Sequence, residues 1–382
     1  IALNIINLIG TNIVNIILGF MIATAFMSMW ISNTATAVMM LPIAIAIVAQ
    51  LRDNPSTIED ENLNFGKALM LAIAYSASIG GVATLIGTPP NLVLAGVVEE
   101  TFGYEITFAK WFQFGFPISI ILLFICWKYI TSIAFKFKQK TFPGGREEIY
   151  KQLKALGKIS YEEKLVAGVF GFTAFAWISR SYLLQSIIPG IDDTIIAMIG
   201  AIIIFLLPTK NRERKILKWD EAVKLPWGIL LLFGGGMALA AGFKESGLAL
   251  WIGNQMTLLD GVSLIVLVFI LIASVNFLTE ITSNLATTAM LLPILYPMSM
   301  TIDVHPFILM VSATVAASCA FMLPVATPPN AIVFGSGYLR IPDMVRVGIW
   351  MNLISIVLLT LFVFFLLPYL WDFDPLVFIV PV

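Results

Sequence analysis

Long apolar runs constrain this chain more than any other feature of its sequence. They recur along its whole length, and most approach the roughly 20 residues that an α-helix needs to cross a bilayer. Only 12% of the residues are charged, whereas a soluble domain carries about 25%. The sequence therefore predicts an all-α, polytopic membrane protein in contact with the lipid bilayer. The clearest runs, of which the shorter need their flanks to span, are Phe112–Ile130, Leu165–Ile178, Ile195–Leu207, Gly261–Asn276 and Ile349–Leu367.

The ionisable residues argue against several functional classes. The net charge is −1 and no basic face is interleaved with aromatic residues, so a nucleic acid partner is not expected. The single histidine, and two cysteines in apolar runs (Cys126 and Cys319), argue against a zinc site or a disulfide. No nucleophile–base pair is recognisable in the sequence. We therefore expect a protein that is not an enzyme and that uses no organic cofactor.

Two basic segments set the expected orientation of the chain in the membrane. Residues 131–163 and 208–224 hold most of the lysines and arginines, and two apolar runs separate them. Two crossings return the chain to the same side, and the positive-inside rule makes that side cytoplasmic. From Trp371 onward the sequence has no lysine or arginine. We expect a multi-pass protein of the bacterial inner membrane with cytoplasmic basic loops and an external C-terminus.

Two different motifs occur twice, in the same order. Ser32-Asn33 opens a stretch that recurs at Ser283-Asn284, with the shared pattern Ser-Asn-x-Ala-Thr followed by an apolar run that ends in Leu-Pro-Ile. Downstream, the pattern Thr-Pro-Pro-Asn begins at Thr88 and recurs from Thr327. Roughly five crossings separate the two copies, and an odd number places them on opposite sides. The sequence thus predicts inverted repeats, as in many secondary transporters.

The residue types of these motifs suit a cation together with an anion. Paired prolines break a helix and free backbone carbonyls, here at Gly87 and Ala326, which are ligands for a hard cation such as Na⁺. The Ser-Asn motifs predict the tips of two re-entrant hairpins, whose restarting helices direct positive N-terminal ends at an anion. Neither motif pair contains a lysine or arginine. Bound Na⁺ would therefore have to compensate the charge of a carboxylate substrate.

Each motif also has an ordinary structural interpretation. A single Ser-Asn pair usually bonds neighbouring membrane helices, and a single Pro-Pro usually forms a kink, but the paired occurrence favours the functional interpretation. Asn91 and Asn330 are expected to cap the helices that restart after the prolines. Glu280, beside the second Ser-Asn motif, is either a proton or cation site or a buried structural partner of the hairpin.

At these motifs the chain resembles the divalent anion/sodium symporter family, and the resemblance runs over most of its length. The resemblance implies two Na⁺ sites and a substrate site between them. The first Na⁺ site would comprise Ser28, Ser32, Asn33 and Gly87, and the second Thr279, Ser283, Asn284 and Ala326. The substrate carboxylates would meet Asn33, Thr34, Thr88, Asn284, Thr327 and Pro328. This chain departs from members that carry Ser-Asn-Thr twice, because Leu285 corresponds to Thr34; whether Thr287 replaces the lost hydroxyl is open at this stage.

The resemblance also implies a homodimer in which a transport domain slides across the membrane as an elevator against a scaffold domain. The transport domain would comprise residues 23–108 and 261–340, each half with one hairpin and one broken helix. Residues 1–22 would end an N-terminal scaffold section whose upstream part precedes this chain. Residues 109–260 would form the scaffold and dimerisation section, and residues 341–382 the C-terminal transmembrane helix.

Together these expectations give one functional hypothesis, which is Na⁺-coupled symport by secondary active transport. The expected substrates are C4-dicarboxylates such as succinate, malate and fumarate, or related di- and tricarboxylates. Alternatives within the family are a sulfate or citrate carrier, and a member that couples to protons or works by exchange. An anion channel is a remote alternative, because it would need a continuous wet path through the protein.

Overall fold

The described part of the protein is almost purely helical. The computed structural model describes residues 2–9, 12–52, 59–137, 145–224, 227–248, 251 and 262–377. Within these ranges there is no β-strand, and Pro208 and Lys215 form an isolated bridge. Three continuous helical segments, Asn62–Val82, Phe108–Ala134 and Ile341–Trp371, are long and apolar enough to cross a membrane. The expected fold class, an all-α polytopic membrane protein, is confirmed.

The principal helices are numbered in chain order. They are α1 (Ala2–Ile9), α2 (Ile13–Ser28), α3 (Asn33–Arg52), α4 (Glu59–Val82), α5 (Pro89–Phe102), α6 (Phe108–Tyr129), α7 (Gly145–Ala155), α8 (Tyr161–Ser179), α9 (Asp193–Leu206), α10 (Trp227–Glu245), α11 (Leu264–Leu278), α12 (Asn284–Thr301), α13 (Pro306–Ala317), α14 (Pro328–Phe334) and α15 (Ile341–Leu361). Three of them, α6, α8 and α15, continue into π-helical turns at Ile130–Ala134, Arg180–Leu184 and Phe362–Leu366.

Both copies of the motif pair fold into a helix pair followed by a broken helix. In the first copy residues 29–32 join α2 to α3, and residues 83–88 join α4 to α5; in the second, residues 279–283 join α11 to α12, and residues 318–327 join α13 to α14. Each helix after a tip begins at the asparagine of Ser-Asn, and each helix after a break begins at the first proline. Proline suits this position because the first helical turn needs no amide hydrogen.

The helix bounds refine the expected segment limits. The expected boundary between residues 22 and 23 falls inside α2, which runs unbroken from Ile13 to Ser28. The whole of α2 therefore belongs with α3 in the first helix pair. The limit after residue 108 falls one residue into α6, and the limit after residue 340 coincides with the start of α15. The limit after residue 260 lies outside the described residues.

Helix α4 lies at the centre of the core. In the apolar stretch of α4, 94% is buried. In the segments that contain α6 and α15 the buried share is 39%, so both expose surface that can contact lipid. Helix α14 packs against α3 and α4, and α12 packs against α5. The rings of Tyr75 in α4 and Phe321 in the second break lie 5.0 Å apart. The two copies of the motif pair therefore interleave in one core.

The α8–α9 pair is a satellite of this core, with a small apolar cluster of its own. At one end, the fully buried Arg180 binds Glu105 (Nη1–Oε1 2.7 Å) and Asp193 (Nε–Oδ1 3.2 Å). At the other end, the amide of Lys210 donates to Glu162 Oε1 at 2.8 Å. That bond holds the pKa of the Glu162 carboxyl below its ordinary value, and it places the two basic segments at the same end of the pair.

We expect Arg180→Gln to destabilise the protein by about 2 kcal/mol or more, because the substitution removes the buried cation between two carboxylates. Thermal unfolding of the purified protein in detergent measures the change. Arg214→Gln is the matched control, since Arg214 and Glu221 form an exposed ion pair at 3.1 Å, and such pairs contribute about 0–1 kcal/mol. Equal losses in the two variants would contradict the role given to Arg180.

Candidate functional site

The first hairpin tip gathers oxygen atoms from three chain segments. Ser28 Oγ, at the end of α2, lies 2.7 Å from the Ala77 carbonyl of α4 and 2.6 Å from the side-chain amide of Asn33. With that amide oriented to donate, Asn33 Nδ2 lies 2.6 Å from Ser28 Oγ, 3.0 Å from Ala77 O and 3.3 Å from Gly87 O. Asn33 thus connects the tip, the intact part of α4 and the break.

This arrangement fits a hard cation. Rotating the Asn33 amide turns Oδ1 toward a hydroxyl and two carbonyls, and oxygen-only ligand sets of this kind suit Na⁺ better than a soft metal. The surroundings are shaped for it by glycines. A Cβ on Gly81 would lie 2.5 Å from Asn33 Oδ1, and a Cβ on Gly87 would lie 2.5 Å from Gly81 O. Larger residues at either position would displace the ligand groups.

The second hairpin tip repeats the same connections. Thr279 Oγ1 lies 2.8 Å from Asn284 Oδ1 and 3.0 Å from the Ala317 carbonyl oxygen, and it can donate its hydrogen to either. Thr279 corresponds to Ser28, Asn284 to Asn33, and Ala317 of α13 to Ala77 of α4. The two copies therefore build equivalent clusters of one hydroxyl, one side-chain amide and one helical carbonyl.

The structure brings together only some of the residues expected at the Na⁺ sites. Ser28, Asn33 and Gly87 meet in the first cluster, and Thr279 and Asn284 in the second. The hydroxyls of Ser32 and Ser283 instead accept hydrogen bonds from the amides of Ala35 (3.3 Å) and Ala286 (3.1 Å), which caps α3 and α12. Ala326 is buried in the second break, and the described hydrogen bonds of the second cluster do not include its carbonyl.

The remaining residues expected to meet substrate lie at the starts of helices. Thr34 is exposed in the first turn of α3, and Pro328 is exposed at the first position of α14. Thr88 and Thr327 are the residues that immediately precede α5 and α14, and Thr327 Oγ1 accepts from the Asn330 amide at 3.3 Å. Helix starts carry partial positive charge, so these positions are compatible with an anion.

The expectation that Asn91 and Asn330 cap the restarting helices is wrong. Asn91 Nδ2 donates to Gly81 O (3.4 Å) and Thr84 O (2.9 Å), and Asn330 Nδ2 donates to the carbonyls of Ala320 and Leu323 (3.3 and 3.0 Å). Both asparagines reach back and donate to backbone carbonyls at the start of the break and within it. They hold the two breaks in matching shapes.

Sequence reasoning missed the carbonyls of Ala77 and Ala317, which contact Ser28 and Thr279, because an alanine in a helix gives no signal that its carbonyl contacts a distant hydroxyl. It left Glu280 open between an ion site and a structural partner. The structure favours the structural interpretation, since Glu280 accepts hydrogen bonds from backbone amides of the second break and from Asn352 Nδ2 at 2.8 Å.

Comparison with known proteins supports the interpretation of these motifs. The family model described as "Sodium:sulfate symporter transmembrane region" matches residues 1–371. The chain is 51% identical over 374 residues to the sodium-dependent dicarboxylate transporter SdcS of Staphylococcus saprophyticus, covering 96% of this chain and 72% of that protein. It is 48% identical over 380 residues to SdcS of Staphylococcus aureus, covering 98% of this chain and 73% of that protein.

A solved structure has a similar fold. It is MtrF of Neisseria gonorrhoeae, described as illuminating a class of antimetabolite efflux pumps, which aligns with a TM-score of 0.55 over 95% of this chain and 80% of that chain. The sequence identity is 14%, so the likeness concerns the fold alone. From the family match over residues 1–371 and the identity to named transporters, we conclude that the chain belongs to the sodium:sulfate symporter family and is a transporter rather than an enzyme.

Proposed function

We propose that this transporter is a Na⁺-coupled symporter of C4-dicarboxylates, such as succinate, malate and fumarate, in a bacterial plasma membrane. The observation that carries the proposal is the pair of equivalent clusters, Ser28–Asn33–Ala77 and Thr279–Asn284–Ala317, in which neutral oxygen atoms meet at a helix tip. The SdcS relatives are named sodium-dependent dicarboxylate transporters, which supports the same ion and the same substrate class.

Each cluster would hold one Na⁺. The first site would use Ser28 Oγ, Asn33 Oδ1 and the carbonyls of Ala77 and Gly87, with Ser32 fixing the helix start beside it. The second would use Thr279, Asn284 and the Ala317 carbonyl, with Ser283 in the place of Ser32 and Ala326 in the place of Gly87. Because these ligands are neutral, each ion would bring a full positive charge to the membrane interior.

The substrate would bind next to the two Na⁺ ions, whose positive charges would balance those of its carboxylates. One carboxylate would meet Asn33, Thr34 and Thr88, and the other Asn284, Thr327 and Pro328, through amides, hydroxyls and helix N-termini. A charge at membrane depth costs at least a few kcal/mol, so a dianion would enter only after Na⁺ had bound. This order couples the two solutes without any charged side chain that moves.

Transport would follow an elevator mechanism in a homodimer. The two motif copies would be inverted repeats with re-entrant hairpins that form the moving domain, from α2 through α5 and from α11 through α14. The α8–α9 pair would belong to the scaffold, which agrees with its separate apolar cluster. The basic segments would face the cytoplasm, and the C-terminus would lie outside.

Uptake into proteoliposomes tests the proposal. We expect [¹⁴C]succinate uptake to require an inward Na⁺ gradient, and a tenfold gradient supplies about 1.4 kcal/mol per ion. Equal rates with Na⁺ and with choline would contradict Na⁺ coupling. If more Na⁺ charge than substrate charge moves, an inside-negative potential should accelerate uptake, because each charge gains about 2.3 kcal/mol per 100 mV.

Sulfate is the second candidate substrate, because the matching family model is described as a sodium:sulfate symporter region. Competition separates the two candidates. Malate and fumarate should inhibit succinate uptake at similar concentrations, whereas sulfate should inhibit poorly; strong inhibition by sulfate alone would favour the second candidate. Citrate in the same assay reports whether a third carboxylate is accommodated.

Leu285 is expected to limit the affinity for dicarboxylate, because the second hairpin has no hydroxyl at the position that corresponds to Thr34. Thr287 does not replace the missing hydroxyl, because it is buried and its Oγ1 lies 2.6 Å from Thr282 Oγ1 within the hairpin. We expect Leu285→Thr to lower the KM for succinate about tenfold, since a hydrogen bond to a charged group contributes about 1.5–3 kcal/mol. Met290→Thr, at an exposed position of the same helix, should leave KM unchanged; a similar decrease there would contradict the prediction.

A further inference from the structure

A buried carboxylate holds the second broken segment. Glu280 follows Thr279 directly at the second tip, and only 3% of the residue is exposed. Its Oε1 accepts hydrogen bonds from the amides of Phe321 (2.8 Å) and Met322 (2.9 Å), and its Oε2 accepts from the amide of Leu323 (3.0 Å). The carboxylate therefore binds three successive amides that lie between the carbonyl of the second cluster and the start of α14.

The surroundings of Glu280 are polar but not cationic. Asn352, on α15, donates Nδ2 to Glu280 Oε1 at 2.8 Å, and its Oδ1 accepts from the Phe321 amide at 3.2 Å. Within the described ranges, no lysine, arginine or histidine forms an ion pair with Glu280. These hydrogen-bond donors are all neutral groups, so the negative charge of the carboxylate has no balancing cation in a weakly screening interior.

The first copy holds its broken segment with neutral groups. At the position that corresponds to Glu280, directly after Ser28, the first copy has the buried Met29. Thr84 Oγ1 donates to the Met29 carbonyl at 2.5 Å, and the hydroxyl of Ser119, on α6, donates to a carbonyl of α4 at 2.8 Å. The two clusters share their ligand types but differ by one fixed negative charge.

We propose that Glu280 makes the second Na⁺ site the stronger of the two, so that this site fills first. The inference rests on the proposed function, because it requires that both clusters hold Na⁺. A fixed anion next to a ligand residue attracts a cation through an interior that screens charges less than water does, and the effect on affinity is on the order of tenfold. The ion in the second site then neutralises Glu280 before the first site and the dianion are occupied.

Na⁺ titrations of single-site variants test this order. Asn33→Ala disables the first site and leaves the second, and Asn284→Ala does the reverse. Na⁺ binding to each purified full-length variant is followed by thermal stabilisation, with choline replacing Na⁺ at constant ionic strength. We expect half-saturation at about tenfold lower Na⁺ in Asn33→Ala than in Asn284→Ala. Adding Glu280→Gln should raise the half-saturating Na⁺ concentration about tenfold in Asn33→Ala, which keeps the second site. In Asn284→Ala, which keeps the first site, the increase should be less than twofold.

The other outcomes are distinguishable. If Glu280→Gln raised the half-saturating Na⁺ concentration equally in both backgrounds, Glu280 would have a purely structural role. If Asn33→Ala and Asn284→Ala had equal Na⁺ affinities while Glu280 is present, there would be no order of filling. Either result overturns this inference and leaves the proposed function intact. No Na⁺-specific stabilisation in either background would overturn the proposed function, and this inference with it. Glu280→Asp keeps the negative charge and provides the test if Glu280→Gln does not fold. In this variant the second site should still bind Na⁺ more tightly than the first. Equal affinities in folded Glu280→Asp would overturn the inference.

Discussion

Uptake of dicarboxylate should fall about a hundredfold when either Asn33 or Asn284 is replaced by alanine. Each asparagine is the residue that connects a hairpin tip to the carbonyl of a neighbouring helix, through Ser28 in the first copy and Thr279 in the second. Its loss removes a ligand oxygen from the proposed Na⁺ site, and an interaction with a charged group contributes about 1.5–3 kcal/mol, roughly tenfold to a hundredfold in affinity. Weak Na⁺ binding then also prevents the dianion from binding.

Initial rates of Na⁺-driven succinate uptake measure the effect. Asn15→Ala is a matched control, because Asn15 lies in the same helix pair and donates a single neutral hydrogen bond to Ile9 O at 3.3 Å. Its uptake should stay within about twofold of the parent rate, as expected for the loss of one neutral hydrogen bond outside the site. Retained uptake in Asn33→Ala or Asn284→Ala, with the protein folded, would show that the clusters do not bind the coupling ion.

The positions of the two clusters could be predicted from the sequence because local chemistry determines them. A Ser-Asn pair favours the start of a helix, and paired prolines interrupt a helix but are tolerated in the first turn of the next one. The duplication of both motifs then indicated that the tips and breaks act together. Asn33 and Asn284 were expected at the tips for this reason, whereas Ser28 and Thr279 were expected beside them only from the resemblance to the symporter family. The role of all four residues in ion binding stays a proposal for the transport experiments.

The carbonyls of the two clusters could not be predicted, because their positions depend on how helices pack. Ala77 contributes its backbone, and only the close approach of α2 to α4 brings that carbonyl to Ser28. The approach depends on Gly80, where a Cβ would lie 2.3 Å from the Ala25 carbonyl. The local sequence does not tell which helix approaches this glycine, so the contact appears only in the folded protein.

Arg180 illustrates the same limit. Its position at the end of an apolar run gives no sign that the side chain is buried, yet it lies fully buried between Glu105 and Asp193. The two carboxylates come from different segments of the chain, so neither spacing nor periodicity brings them together. The pairing is a tertiary contact, and it is this contact that holds the α8–α9 pair against the connector before α6.

Gly348→Ala should abolish the folded state or lower its stability by at least about 3 kcal/mol, since overpacking of this severity exceeds the usual cost of an added methyl group. A Cβ on Gly348 would lie 2.2 Å from the Phe321 carbonyl oxygen and 2.6 Å from Met322 Cα. These atoms belong to the backbone of the second break, and Glu280 holds them in place through the amides of the same two residues. The break therefore cannot shift away from α15 without losing those hydrogen bonds.

Thermal unfolding and size-exclusion profiles of the purified variants measure this effect, and Gly171→Ala is the control. Gly171 lies within α8, where an added Cβ meets open space, so alanine should stabilise that helix by up to about 1 kcal/mol. Gly115→Ala should resemble Gly348→Ala, because its Cβ would lie 2.5 Å from the Val82 carbonyl at the first break. If Gly348→Ala unfolded at the parent temperature, the break could shift to accommodate the added methyl group, and the hydrogen bonds from Glu280 would not fix it against α15.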